Sequence, residues 1–149
     1  MAVDREEAGA GLVRASDGGT VVFVLAAVLS ASYRPLHLVA VVVSLMAFAV
    51  GCATFLWAFW LAVQRSRVDT IAVAGLFFLL QGSAPRAVRV RLLGALAVQV
   101  VVAVATASAR PFTDQAFAIL GPMLGLGLTG LWGARHGQFP PRALPVPDP

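Results

Sequence analysis

The sequence predicts an all-α membrane protein: four transmembrane helices in a bundle, with a short interfacial helix in the second connection. Three observations carry that prediction. The 149-residue chain is 59% hydrophobic and only 12% charged, with a mean hydropathy of +0.86; soluble domains carry about twice that charged fraction. The longest apolar runs contain no charged residue. All eleven basic residues are arginines, and they punctuate those runs. A soluble fold of this size would leave much of its apolar surface facing water. A bilayer removes the conflict, because lipid becomes the solvent and each helix satisfies its own backbone.

The first span is drawn over 18–33, after a polar, acidic N-terminal tail at 1–17. It is short for the roughly 20 residues that cross ~30 Å of hydrocarbon. A cleaved signal peptide is the alternative reading: Arg5 and Arg14 precede the apolar run Thr20–Ser32, and Ser30 and Ser32 form a small-residue cleavage pair. Asp4, Glu6, Glu7 and Asp17 crowd the part of such a peptide that should be basic, which favours a retained helix. The second span, 36–63, is long enough to tilt or protrude.

Residues 69–82 then predict the interfacial helix. Asp69 is placed to cap its start, and Gly82, Ser83 and Pro85 read as a stop. The run from Ile71 to Leu80 is apolar all round, so it lacks the polar face of an amphipathic surface helix. It should pack under the bundle against the second and third spans, with a gate or docking element as the functional alternative. As a fifth span it would be too short, because ten helical residues reach only ~15 Å. The third span is drawn over 92–109 and the fourth over 115–134. A proline-rich tail, 135–149, follows; its five prolines from residue 140 on exclude a helix and predict an extended or frayed end. The membrane domain is therefore 18–134.

Four spans put Arg5, Arg14, Arg65, Arg67, Arg86, Arg89, Arg91, Arg135 and Arg142 on one side, and only Arg34 and Arg110 on the other. Basic residues in short loops face the cytoplasm, so both termini are expected there, with the protein in the plasma membrane. Trp57, Trp60 and Trp132 fall near the same inner interface and Tyr33 near the outer one. Arg65, Arg67, Arg86, Arg89 and Arg91, less Asp69, give the second connection a net +4. These five arginines set topology and are the expected contact for anionic lipid head groups or a partner. Nucleic acid is not expected as a partner, since the bilayer already accounts for the arginines and for the high pI.

In the fourth span Gly121, Gly125, Thr129, Gly133 and Gly137 recur every four residues, a small-residue stripe that lets helix backbones approach closely in lipid. Its partner is another span of the chain, a different membrane protein, or a second copy. The same stretch spells Gly125-Leu-Gly127-Leu-Thr-Gly130, a literal dinucleotide fingerprint. It lacks the preceding strand and the acidic residue that the fingerprint requires. In the third span Gln99 lies on a stripe with Ala95, Ala103 and Ala107. A buried amide there should bond a neighbouring helix, with Ser44 or Thr54 matching it in depth, or else line a substrate path.

No Asp, Glu, Lys, Arg or His lies near the middle of a span, where proton-coupled transport and intramembrane catalysis place such groups. His37 and His136 fall on opposite faces, as do Asp69 and Asp114, and Cys52 has no nearby base. No catalytic residue, metal ligand or cofactor is expected.

Val73-Ala-Gly-Leu-Phe-Phe-Leu79, Ser83-Ala-Pro85, Ala109-Arg-Pro-Phe-Thr113 and Leu131-Trp-Gly-Ala-Arg-His-Gly-Gln-Phe-Pro-Pro141 resemble small integral membrane proteins of high-GC Gram-positive bacteria. The resemblance covers 36–142 and implies a membrane location without implying an activity. The expected function is therefore non-enzymatic: an accessory or scaffolding subunit packing through the glycine stripe and the inner arginines. The alternative is a small homo-oligomeric transporter or channel.

Overall fold

A computed structural model of the chain describes residues 9–80, 82–109 and 112–142, with Arg34 described by its backbone alone. Asp4, Arg5, Glu6, Glu7, Arg110 and the last seven residues lie outside the described residues. The architecture is all-α, and four of its helical segments are long and apolar enough to cross a membrane. The chain is a multi-pass integral membrane protein.

Helix α1 spans Ala10–Ser32, beginning eight residues before the predicted span. The sequence reading stopped at the charges of Arg14 and Asp17, but the helix runs through both. Its buried positions Val13, Ser16, Thr20, Phe23, Ala27 and Ser30 recur every three or four residues and form one face. Gly9 starts the helix at φ 82°, and a side chain there would collide with Trp132 and His136. A short 3₁₀ turn, Arg34–Leu36, leads into α2, His37–Arg65, which buries a row of mostly small residues: Ser44, Ala47, Gly51, Ala58 and Ala62.

The predicted 69–82 helix is only five residues long, α3, Val73–Phe77. Two things shorten it. Asp69 caps nothing: residues 68–70 are drawn into an extended pairing with the C-terminal segment, the Thr70 amide donating to Pro140 O at 2.8 Å and the Arg142 amide to Val68 O at 2.8 Å. Beyond α3, Leu79 and Gly82 adopt positive φ and end it. The connector still tucks under the bundle as expected. It sits chiefly on the fourth span, not just on the second and third: Leu76 and Phe77 pack with Ala58, Ala62, Leu131 and Ala134, and Leu79 with Val13, Val88, Leu92 and Trp132. The stretch 138–142 is correspondingly pinned to the bundle and does not fray.

Helix α4, Arg86–Ala109, buries Val88, Leu92, Gln99 and Ala103. The fourth span is composite. A 3₁₀ segment, Asp114–Leu120, hands over at Gly121 to α5, Pro122–His136, whose first residue is the proline that needs no amide partner there. Fifteen α-helical residues rise only ~22 Å, and the steeper 3₁₀ segment adds ~14 Å. Together they cover the hydrocarbon.

The fourth span is the axis around which the others pack. Ten of the fifteen α5 residues are buried. Its glycines do not form a single stripe. A Cβ on Gly121 would strike the Phe23 ring, one on Gly125 would meet Gln99 and Leu96, and one on Gly127 would overlap Gly51 O and Thr54 Oγ1. A Cβ on Gly130 would enter the Phe77 ring, and one on Gly133 would overlap Leu76 O. Phe77 in turn stacks on Phe55, ring centroids 4.6 Å apart. The fingerprint glycines thus serve the same purpose as the stripe: Gly125, Gly127 and Gly130 let α4, α2 and α3 close onto one thin helix.

Candidate functional site

Two polar features stand out: a cluster around Gln99 inside the bundle, and the arginine-rich end where α1 and α4 begin and α2 and α5 finish.

Gln99 is fully buried. Its amide nitrogen donates to Thr20 Oγ1 at 2.7 Å, and its carbonyl oxygen accepts from the Gly125 amide at 3.0 Å, at the start of α5. The Thr20 hydroxyl donates onward to Ser16 O at 2.7 Å, and the Thr129 hydroxyl donates to Gly125 O at 2.8 Å. The side chain thus ties α4 to α1 and α5. The expected partners, Ser44 and Thr54, are both on α2 and neither bonds it. Thr54 turns back on its own helix, to Val50 O and Gly51 O. Matching depth could not reveal that α1 is the helix next to α4. Ser16 Oγ, one turn from Thr20, is buried without a hydrogen-bond partner among the described residues. A second polar group lies toward the other end. Gln115 donates to Ser30 O at 3.3 Å and lines a small void of about 10 Å³ with Ser44, Thr106 and Asp114. Phe23, Ala103 and Ala118 pack as an apolar cluster on the same helices.

At the arginine-rich end the five predicted arginines separate into different roles. Arg65 is half-buried and its guanidinium is engaged within the chain. Its guanidinium donates to Ala134 O at 2.9 Å and Gly137 O at 3.2 Å, pairs with Asp69 at 3.0 Å, and lies over the Phe139 ring. A cation on the last carbonyls of α5 opposes the negative end of the helix dipole and supplies donors the helix lacks. Arg67 and Arg86 are exposed, and Arg89 is partly so. Arg91 forms an ion pair with Asp17 across the gap between α4 and α1. This pair gives a tertiary contact to Asp17, which the sequence placed only among the tail acids. A signal was available: the first and third spans run the same way, and Asp17 and Arg91 sit at similar depths from their helix starts.

Trp132 also differs from expectation. It is buried with Val13, Leu79, Val88 and Leu92, while Trp57 and Trp60 are exposed. His37 opens α2 and His136 closes α5. The Arg65 contacts place the ends of those two helices together, so the two histidines lie at opposite ends of the bundle. Among the described residues no three His, Cys, Asp or Glu side chains gather as a metal site.

No family model, no curated protein and no solved structure matches the chain.

Proposed function

We propose that the protein is a non-enzymatic accessory or scaffolding subunit of a plasma-membrane assembly, with both termini in the cytoplasm. The observation that carries this reading is the use made of Gln99. This fully buried polar side chain is committed at both ends of its amide to holding α1, α4 and α5 together. Such groups act as structural glue in lipid. The glycines that were candidates for docking a partner are also taken up within the chain. Contact with a membrane partner then falls to the outward faces of the spans, and contact with anionic head groups to the arginine-rich end. The clustering of basic residues at that end supports its cytoplasmic orientation.

Crosslinking in native membranes, followed by identification of what is attached, tests the reading directly. A partner recovered at fixed stoichiometry supports it. Purified protein in liposomes that moved solutes unaided would overturn it in favour of the small oligomeric transporter. For orientation, single cysteines placed near Asp114 and near Pro145, in a chain lacking Cys52, should label from opposite sides; labelling of both from outside would refute it.

A further inference from the structure

We propose that the cleft between the first turns of α1 and α4 binds the phosphate head group of an anionic phospholipid, with Arg14 and Arg91 as its two cations. The cleft has a volume of about 250 Å³ and is lined by Ala10, Val13, Arg14, Ala87, Val88 and Arg91. This site rests on the membrane reading above and deepens its expectation of anionic lipid contact at the arginine-rich end.

The lining is split as an amphipathic ligand requires. Val13 and Val88 are buried and form an apolar wall, while the two guanidiniums occupy the exposed side. Arg14 makes no ion pair or side-chain hydrogen bond among the described residues and is free to meet a ligand. Arg91 is held in place by Asp17. Among the described residues, two guanidiniums against one carboxylate leave the cleft net positive, and their planar donor forks match phosphate oxygens. Ala10 and Ala87, from the first turns of the two helices, complete the lining. Both helices begin here, so their positive dipole ends add to the field. Because α1 and α4 are themselves membrane-spanning, this end of the cleft lies where head groups lie. That favours a lipid-borne phosphate over a soluble one, which would gain nothing from the apolar wall.

The test uses the full chain purified in uncharged detergent and titrated with short-chain phosphatidylglycerol, with thermal midpoint and native mass spectrometry as readouts. A saturable upward shift of the midpoint with one tightly retained lipid is expected. Arg14→Gln, which breaks no ion pair or side-chain hydrogen bond among the described residues, should weaken half-saturation about fivefold, and Arg14→Gln with Arg91→Gln should weaken it about twentyfold or more. Asp17→Asn removes the competing carboxylate and should tighten it. Arg67→Gln with Arg135→Gln, exposed on the same end but outside the cleft, should change it less than twofold. Equal losses in the two double variants would mean diffuse attraction and overturn the site. So would an equal shift with phosphatidylcholine. Inorganic phosphate producing the same shift at the same concentration would overturn the lipid assignment. None of these outcomes depends on whether a protein partner is recovered by crosslinking, so the site and the scaffold reading can fail separately.

Discussion

Helix α2 and the fourth span reverse the rule familiar from soluble proteins. α2 is the most apolar of the four spans, with a mean hydropathy of 2.4 over its best window, yet only 17% of that window is buried. The fourth span is the least apolar, at 1.5, and 56% of its window is buried. In water the ranking would run the other way, because burial removes apolar surface from solvent. In lipid that gain disappears, since hydrocarbon chains are as apolar as leucine. What selects a helix for the centre is the ability to pack closely and to bond across. Glycine at 125, 127, 130 and 133 supplies the first, and the Gly125 amide, which donates to Gln99 on α4, supplies the second. The leucines, valines and aromatics of α2 have nothing to gain inside and cover the outside.

The comparison is broken most severely by placing bulk at the axis. Gly127→Leu and Gly133→Leu should each destabilise the bundle by about 3 kcal/mol or more, because the new side chains meet backbone oxygens, Gly51 O and Leu76 O, that cannot rotate away. Gly94→Leu on α4, where an added Cβ meets nothing within 4 Å, should stay within about 0.5 kcal/mol of the parent. Thermal unfolding in detergent measures all three. Equal sensitivity at Gly94 and Gly127 would show that the fourth span is not the axis.

The next largest effect belongs to the polar tie. Gln99→Leu leaves the Gly125 amide without its side-chain acceptor and should cost about 1–2 kcal/mol. A double-mutant cycle with Thr20→Val should give a coupling of about 0.6 kcal/mol or more, since the two side chains bond directly. The same cycle with Ser44→Ala should give none. A finite Gln99–Ser44 coupling would restore the pairing suggested by depth alone.

How far the sequence could be read follows the same physics. The spans were legible because their apolar runs carry no charge, and the arginine ends because short loops collect them. The start of α1 was not, because a lone Arg14 and Asp17 look prohibitive until the partner of Asp17, Arg91, is known to stand on the neighbouring helix. The neighbour of Gln99 was not legible either, since depth along a span says nothing about which helix lies beside it. Trp132 was read as interfacial because it closes a span, and what buries it is the Gly9 turn and the α3 connector. Gly127 and Gly130 escaped a search for four-residue spacing because a central helix has neighbours on every side.

A smaller effect is expected at the end of the axis. Arg65→Gln removes the donors to Ala134 O and Gly137 O and should cost about 1 kcal/mol, with the loss confined to the last turn of α5 and the strand-like pairing of 68–70 with 140–142. Amide exchange should quicken there and remain unchanged at Gln99. Exchange that quickened throughout the bundle would mean that the cap is needed for the whole axis.

The smallest effects should come from the outward face of α2. Leu45→Val and Leu56→Ala each trim a side chain that is largely exposed in the isolated chain, 43% and 66% respectively. In a bilayer those surfaces meet acyl chains, so lipid can fill the space that the trimming leaves, and each change should fall within about 0.5 kcal/mol. In native membrane the same substitutions gain a second use. If a partner helix rests on α2, Leu56→Ala should weaken its crosslinking while leaving the thermal midpoint of the purified chain unaltered. A loss of midpoint in detergent would instead place Leu56 inside the fold, and the contrast between an outward α2 and a buried fourth span would no longer hold at that position.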